Sequence, residues 1–280
     1  MSEKFGKWEG ALYGAIQAAR LGRECLLQYM GKLQNIEKKF QAGLVSEADK
    51  ESEKKIFDYL RKYFPNDEFL GEESSASETK VQNKMREGTQ QRRRWIVDPL
   101  DGTTNYIHQF PVFCVSIGYE VDGVIQVAVV DVPILNEVYT AVRGCGAYVN
   151  GIPLSVSRCQ KLEDAFLATG FFNEIETRLE EQLRIFSHLV RQSRAIRRAG
   201  AAAYDLCLVA RGVFDGYWER GIQPWDSAAG LLLVEEAGGK VVTYRGQPYG
   251  INKNSIVAGT PLVVDQIVFS IREHIAKDAD

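Results

Sequence analysis

The stretch Trp95–Pro111 reads WIVDPLDGTTNYIHQFP, and from it we predict both a strand and a ligand site. Its three leading apolar residues are typical of a short buried strand, and they run directly into Asp98 and Asp101. The pyrrolidine ring of Pro99 fixes its φ angle, so the two carboxylates and the intervening Leu100 carbonyl are expected to hold a set geometry. Hard divalent cations prefer oxygen ligands of this kind.

The residues after Asp101 are suited to binding an anion. Gly102 lets the backbone approach a ligand closely, and Thr103, Thr104 and Asn105 are placed to open a helix with free N–H groups. Carboxylates for a metal beside N–H groups for an anion are what chemistry on a phosphate ester requires. The same residues are also compatible with a strand that ends in a Pro-Leu-Asp-Gly β-turn and binds nothing.

Two further acidic clusters lie far from this stretch in the sequence. Glu72 and Glu73 follow a short apolar pair, where a solvated acidic turn is the simpler interpretation. Asp226 follows Glu219 and opens an apolar helical segment, and the helix dipole alone favours an acidic residue there. If folding brings the second of these clusters to the stretch after Trp95, Asp226 supplies a further metal ligand.

Apolar periodicity and turn signals predict a mixed succession of helices and strands. The predicted helices are about Trp8–Leu33, Glu47–Phe64 with Ser46 as N-cap, Thr177–Gln192, Ala201–Arg211, Trp225–Ala237 and Pro261–Ile275. The predicted strands are Trp95–Val97, Val112–Val121, Val124–Val130, Glu137–Ala141, Phe166–Ala168, Val213–Trp218 and Lys240–Tyr244. The polar stretch Ser74–Arg94 is interpreted as an exposed excursion. Together these elements indicate an α+β or mixed α/β fold.

Composition excludes several classes of protein. The 280 residues are 45% hydrophobic and 25% charged, as in ordinary globular chains, and 34 basic against 37 acidic residues give a net charge of −3. Without a basic excess we expect no nucleic-acid partner. No apolar run is long enough to cross a bilayer, so we expect no membrane association. The N-terminus MSEKFGKWEG lacks a secretion signal, and five scattered cysteines without a CxxC pair are typical of reduced thiols in a cytoplasmic chain.

Taken together and in this order, the motifs resemble the inositol monophosphatase family of lithium-sensitive, metal-dependent phosphatases. The resemblance covers nearly the whole chain, and the stretch from Trp95 is its most specific part. The other matching stretches are Leu44–Asp49, GEES from Gly71, Arg198–Leu206, GYWERGIQPWDSAAG from Gly216 and EAGG from Glu236. The resemblance implies a layered αβαβα sandwich and a homodimer. It also implies a single domain, 1–280, in which about 1–150 carries most metal ligands and about 151–280 supplies Asp226 and substrate contacts.

The resemblance also implies roles for individual residues. Two or three Mg²⁺ ions would be held by Glu72, Asp98, the Leu100 carbonyl, Asp101 and Asp226. Asp49 and Thr103 would orient and activate the attacking water, and Glu72 would share in catalysis through the metal. The substrate would contact the Gly102 and Thr103 N–H groups, Asp101, Ala202 and Glu219, with Thr169 at the rim. Glu73 and Lys38 match accessory positions near the site.

The implied activity is Mg²⁺-dependent hydrolysis of a small phosphorylated alcohol, with myo-inositol 1-phosphate as the leading substrate. DGTTNY and PWD favour this substrate type over the nucleotide type, yet histidinol phosphate, fructose 1,6-bisphosphate and 3′-phosphoadenosine 5′-phosphate remain open alternatives. A different class of function is a non-catalytic binding or regulatory protein on the same fold. The complete set of carboxylates argues against that class, because pseudoenzymes usually lose one of them.

Overall fold

The computed structural model describes residues 5–39, 43–74, 91–171 and 176–275. Within these ranges, a hairpin is formed by β1 (Ile36–Lys39) and β2 (Gly43–Ser46). A larger sheet of seven described strands follows chain order, with β3 parallel to β4 and every other neighbouring pair antiparallel. Its strands are β3 (Glu68–Gly71), β4 (Arg93–Asp101), β5 (Cys114–Val121), β6 (Val124–Val132), β7 (Glu137–Val142), β8 (Ala147–Val149) and β9 (Ile152–Pro153).

A second sheet is built from the C-terminal part of the chain. Its described strands are β10 (Phe166–Thr169), β11 (Ala195–Arg197), β12 (Gly216–Arg220), β13 (Lys240–Val242) and β14 (Ser255–Gly259). They lie in the order β11-β10-β12-β14-β13, with β10 parallel to both of its neighbours and β14 antiparallel to both of its own. The sheet is therefore mixed.

Helices separate and cover these sheets. They are α1 (Glu9–Tyr29), α2 (Glu47–Tyr63), α3 (Thr103–Ile107), α4 (Glu176–Gln192), α5 (Ala202–Ala210), α6 (Pro224–Glu236) and α7 (Pro261–Ile271). The predicted N-cap at Ser46 is confirmed, because its side chain accepts a hydrogen bond from the Ala48 N–H. Among the described helices, none combines the length and the apolar character needed to span a membrane.

Three hydrophobic cores show how the elements stack. α1 and α2 cover one face of the larger sheet, in a core that contains Trp95. α5 and α6 fill the space between the two sheets, in a core that contains Leu232. α4 and α7 cover the outer face of the second sheet, in a core that contains Ile267. The described residues thus form the layered αβαβα sandwich that the resemblance implied.

The pleat of β4 explains why its sequence reads as one apolar run. Trp95 and Val97 join the core beneath α1 and α2, whereas Ile96 between them joins the core between the sheets. Successive side chains of a strand point to opposite faces, and both faces of β4 are covered by helices. The strand is longer than the three residues predicted, and it continues through Asp98 to Asp101.

Several boundaries and strands differ from the sequence prediction. β12 runs over Gly216–Arg220 instead of Val213–Trp218, so it carries Glu219 within the strand. The hairpin of β1 and β2, and β14 with the sequence SIVAG, were not predicted, because segments of four or five residues are too short to show a reliable period. Of the polar stretch interpreted as an excursion, residues 75–90 lie outside the described part of the chain.

Gly118 on β5 is a point of close approach between the larger sheet and α6. A Cβ atom at this position would lie 2.9 Å from the Cβ of Ala228, closer than real Cβ contacts. We therefore expect Gly118→Ala to lower the free energy of unfolding by about 1–3 kcal/mol, the usual cost of overpacking a core. Urea denaturation would measure this loss.

Gly10→Ala in α1 is the matched control for this substitution. Nothing lies within 4 Å of a Cβ at Gly10, and alanine is the better helix former. An equal loss of stability in both variants would contradict the packing argument at Gly118.

Candidate active site

Asp98 and Asp101 lie at the C-terminal end of β4 on either side of an irregularity in the sheet. Asp98 pairs with Ser116 of β5, and the register shifts before Asp101 pairs with Cys114. Pro99 stands at the shift, where its missing N–H removes no regular ladder bond. The bulge re-aims the strand so that both carboxylates remain close in space although three positions separate them. Pro99 and Leu100 therefore continue β4 and do not form the β-turn of the simpler interpretation.

The turn after β4 requires the glycine that the sequence has there. Gly102 adopts φ +92°, in the left-handed region, and a Cβ at this position would lie 2.8 Å from the Val112 carbonyl oxygen. α3 begins at Thr103, as predicted, and is five residues long. The Thr103 hydroxyl lies 3.0 Å from Asp49 Oδ1 and 3.1 Å from the Leu100 carbonyl oxygen. It has one proton, which it donates to either acceptor.

Asp49 is held at the start of α2 by a reciprocal cap. Its Oδ2 accepts hydrogen bonds from the Ser46 N–H at 2.8 Å and the Ser46 hydroxyl at 2.6 Å. The other oxygen, Oδ1, faces Thr103. Burial raises the pKa of Asp49, and the hydrogen bonds from Ser46 and Thr103 oppose that rise. The structure therefore brings the predicted Asp49–Thr103 pair together.

Parallel pairing of β3 and β4 brings Glu72 to Asp98. Gly71 pairs with Val97, and the Glu72 N–H donates to the Val97 carbonyl at 3.2 Å. Neighbouring parallel strands end at the same edge of a sheet, so the residue after β3 lies beside the second half of β4. Glu72 is half-buried. Its backbone position explains how two clusters 26 residues apart in sequence meet.

Glu73 is oriented by a residue that sequence reasoning missed. Its N–H donates to Glu53 Oε2 at 2.9 Å, and Glu53 is itself buried on α2. Burial raises the pKa of Glu53, while the N–H of Glu73 opposes the rise. A single glutamate on an amphipathic helix gives no sequence signal of such a contact.

α6 delivers Asp226 to the same place. The Ser116 hydroxyl on β5 donates to the Trp225 carbonyl at 3.4 Å, which fixes the start of α6 beside the partner of Asp98. Asp226 Oδ2 accepts from the Gln223 N–H at 2.9 Å and so caps the helix. Both interpretations of Asp226 from the sequence are therefore compatible with the structure, because one oxygen caps α6 while the side chain remains close to Asp98.

The beginning of α5 holds Asp101. The Ala202 N–H donates to Asp101 Oδ1 at 3.2 Å, and the Ala203 N–H donates to Asp101 Oδ2 at 2.8 Å. The Cys114 thiol lies 3.5 Å from the same Oδ2. The alanines at the start of α5 thus act through their backbone N–H groups, and their small side chains allow the backbone to approach Asp101 closely.

Asp98 and Asp101 are buried and Asp226 is half-buried, and the three carboxylates lie close enough for their charges to repel one another. Burial raises the pKa of Asp98 and Asp226 well above the usual aspartate range, and the charges of Glu72 and Asp101 raise it further. Burial also raises the pKa of Asp101 to about 6, although the Ala203 N–H opposes the rise. No described lysine or arginine forms an ion pair with these three aspartates.

A divalent cation fits this group by its donor chemistry. Four carboxylates and the Leu100 carbonyl offer hard oxygen ligands, and a bound cation would remove their mutual repulsion. In the described part of the chain, no three acidic, histidine or cysteine side chains are already drawn tightly around one point. The fit therefore rests on the chemistry of these oxygen donors.

A cavity of about 140 Å³ adjoins these carboxylates and reaches toward the second sheet. Asp101 and Asp226 line one side, and Glu219 at the end of β12 lines the other. Burial raises the pKa of Glu219 to about 7, and the Tyr217 hydroxyl, which donates a hydrogen bond to its carboxylate, opposes the rise. Ala202 also lines the cavity, as the resemblance implied for a substrate contact.

Thr169 is placed differently from its predicted position at the rim, and the prediction for Lys38 is not tested. Thr169 is fully buried, and its hydroxyl donates to the Trp218 carbonyl at 2.7 Å within the second sheet. The next residue, Gly170, lines the cavity in its place. Lys38 lies on β1, but its side chain is outside the described part of the structure.

Sequence reasoning missed three polar side chains that line the cavity, namely Arg198, Asp205 and Tyr217. Asp205 lies three residues after Ala202 on α5, so helical spacing from a predicted contact would have found it.

A larger groove of about 690 Å³ lies between α4 and α7 and contains none of the predicted site residues.

Comparison with known proteins gives consistent results. The chain matches the family model described as "Inositol monophosphatase family" over residues 8–276. It is 39% identical over 253 residues to the fructose-1,6-bisphosphatase/inositol-1-monophosphatase of Aquifex aeolicus, covering 90% of this chain and 91% of that protein. It is 40% identical over 266 residues to Nus factor SuhB of Pseudomonas aeruginosa, covering 93% and 95%. The solved inositol monophosphatase from Anabaena (Nostoc) matches with a TM-score of 0.82 and 37% identity, covering 96% and 97%.

Proposed function

Since the chain belongs to the inositol monophosphatase family, we propose that it hydrolyses the phosphate monoester of a small alcohol, with myo-inositol 1-phosphate as the leading substrate. The observation that carries the proposal is the group of buried carboxylates at the β4 bulge, directly beside the left-handed Gly102 and the start of α3. It combines oxygen donors for cations with backbone N–H groups for an anion. A phosphate monoester needs both.

We propose Mg²⁺ as the cofactor, in two or three sites held by Glu72, Asp98, the Leu100 carbonyl, Asp101 and Asp226. When bound, Mg²⁺ neutralises phosphoryl oxygens, lowers the pKa of a coordinated water and stabilises the leaving alkoxide. The chain then has to position the reactants, because phosphoryl transfer to water requires alignment and charge more than a protein nucleophile.

Asp49 and Thr103 are proposed to position the attacking water. When the Thr103 hydroxyl donates its single proton to Asp49 Oδ1, at 3.0 Å, its lone pairs remain to accept from water. The cap from Ser46 holds Asp49 and prevents it from rotating away. The N–H groups of Gly102 and Thr103 are proposed to hold the phosphate, and Glu219 and Ala202 to contact the alcohol.

Removing the Thr103 hydroxyl should separate these roles. Thr103→Val keeps the shape of the side chain but removes the donor to Asp49, so we expect kcat for phosphate release to fall about a hundredfold. Thr103→Ser keeps a hydroxyl and should retain activity to within about tenfold. Equal activity of the valine variant and the wild type would contradict the water-positioning role.

The substrate is tested by a panel with released phosphate as the readout. The panel contains myo-inositol 1-phosphate, histidinol phosphate, fructose 1,6-bisphosphate and 3′-phosphoadenosine 5′-phosphate, each assayed with saturating Mg²⁺. The highest kcat/KM for inositol phosphate would support the proposal. A preference for another member would keep the phosphatase and change its substrate.

A second candidate is a non-catalytic or regulatory role, which the name Nus factor SuhB of a 40% identical relative favours. If the chain hydrolyses no member of the panel while Mg²⁺ still shifts its thermal unfolding, this candidate is supported and the proposed activity is contradicted.

A homodimer is also proposed, and the molar mass in solution would test it.

A further inference from the structure

Asp205 is a buried carboxylate that lines the cavity. The proposed chemistry gives this residue no role. It lies on α5, is 1% exposed, and lines the cavity together with Glu219 and Arg198. Its Oδ1 has no hydrogen-bond partner among the described residues. Buried polar atoms are normally paired, so an unpaired carboxylate oxygen beside a cavity indicates that the cavity's occupant supplies the donor.

We infer that Asp205 is a specificity-determining residue, which accepts a hydrogen bond from a donor group on the alcohol part of the substrate. This inference rests on the proposed function. The class of substrate it selects is a monophosphate whose alcohol carries a further hydroxyl or ammonium group. A site built to hydrogen-bond a substrate group rejects analogues that lack it, because the protein's own polar group is then left unpaired.

The charges around the cavity favour a donor over a second anion. Asp101, Glu219 and Asp226 line it with Asp205, and Arg198 is the single cation among the described lining residues. Arg198 also donates a hydrogen bond to the Phe171 carbonyl at 3.4 Å. Burial, together with the charges of Asp101 and Glu219, raises the pKa of Asp205, and the charge of Arg198 opposes the rise. A bisphosphate would add to this repulsion.

The test compares two substrates that differ in their donors. Myo-inositol 1-phosphate carries five free hydroxyl groups, whereas cyclohexyl phosphate has the same ring and none. The measured quantity is the ratio of kcat/KM for the two substrates in the presence of saturating Mg²⁺. We expect the wild type to prefer inositol phosphate. Asp205→Ala and Asp205→Leu should lower the ratio by about tenfold or more, corresponding to the loss of one hydrogen bond to a charged group.

Two variants are used because leucine is larger than aspartate and strains the packing around α5, whereas alanine suits a helix; both remove the buried carboxylate. Asp205→Asn separates charge from hydrogen bonding, since its amide oxygen still accepts. If the asparagine variant keeps the kcat/KM ratio of myo-inositol 1-phosphate to cyclohexyl phosphate within about threefold of the wild-type ratio, the partner of Asp205 is a hydroxyl group. The asparagine variant is also assayed with histidinol phosphate, again as a ratio of kcat/KM to that for cyclohexyl phosphate. If only this ratio falls, the partner of Asp205 is an ammonium group. Either result supports the inference.

Asp131→Asn is the matched control, because Asp131 is also buried but lies on β6 and pairs with Arg23. It should leave the ratio unchanged. An unchanged ratio in both the alanine and the leucine variant would overturn the role of Asp205 and leave the phosphatase intact. No hydrolysis of either substrate by the wild type would instead contradict the proposed function.

Discussion

Asp98→Asn is expected to lower phosphate release by about a thousandfold or more at saturating Mg²⁺, while the chain remains folded. Asp98 is close enough to Glu72, Asp101 and Asp226 for their charges to act on it. Its own negative charge is therefore expected to contribute to more than one of the proposed cation sites. The asparagine oxygen still accepts from the Leu100 N–H, which now lies 2.9 Å from Asp98 Oδ1. The backbone of the β4 bulge is therefore preserved while the negative charge is lost.

Activity and thermal unfolding would be measured together on this variant. Without Mg²⁺, its unfolding temperature should equal or exceed that of the wild type, because a buried carboxylate that repels its neighbours has been neutralised. The upward shift of the unfolding temperature with Mg²⁺ should shrink or vanish. Asp131→Asn serves again as the control for a buried aspartate outside the site. Normal turnover of the Asp98 variant at saturating Mg²⁺ would refute the proposed metal chemistry.

The metal-free chain is expected to lose stability as the pH rises from about 4 to 7. Asp101 has a pKa raised from 3.8 to about 6, and Glu219 one raised from 4.5 to about 7, in both cases by burial first. Between the unfolded and folded pKa values, the folded state holds a proton that the unfolded state has released. Stability from such a group is complete below the unfolded pKa and is lost as the pH rises through the folded pKa.

The size of this loss follows from the pKa shifts. A shift of one unit corresponds to about 1.4 kcal/mol, so each of these two groups contributes about 3 kcal/mol across the window. Mg²⁺ should reverse the trend, because cation binding requires the charged carboxylates and stabilises the folded state more at pH 8 than at pH 5. Urea denaturation at several pH values, with chelator and with Mg²⁺, would measure both effects. A metal-free stability that rises over this window would contradict the assignment of the carboxylates as uncompensated.

Local sequence was enough to predict the parts of the fold that depend on neighbouring residues. The cap at Ser46 and the start of α3 at Thr103 follow from the short-range preferences of capping residues. The core helices were predicted within a few residues at most ends, because their apolar periodicity is long enough to read. Short strands such as β14, and the exact position of β12, carry no such signal.

The sequence by itself also predicted the donor chemistry of the candidate site, since the resemblance implied that Glu72, Asp98, Asp101 and Asp226 act as a set. Only the tertiary structure decided how they meet. The parallel pairing of β3 with β4 and the contact of Ser116 with Trp225 act over long distances in the chain, and no local pattern encodes them. The same holds for Thr169, whose hydroxyl is used inside the second sheet, and for Asp205, whose unpaired oxygen exists only because α5 packs it beside the cavity. A residue type specifies which interaction is possible, and packing decides which partner is available.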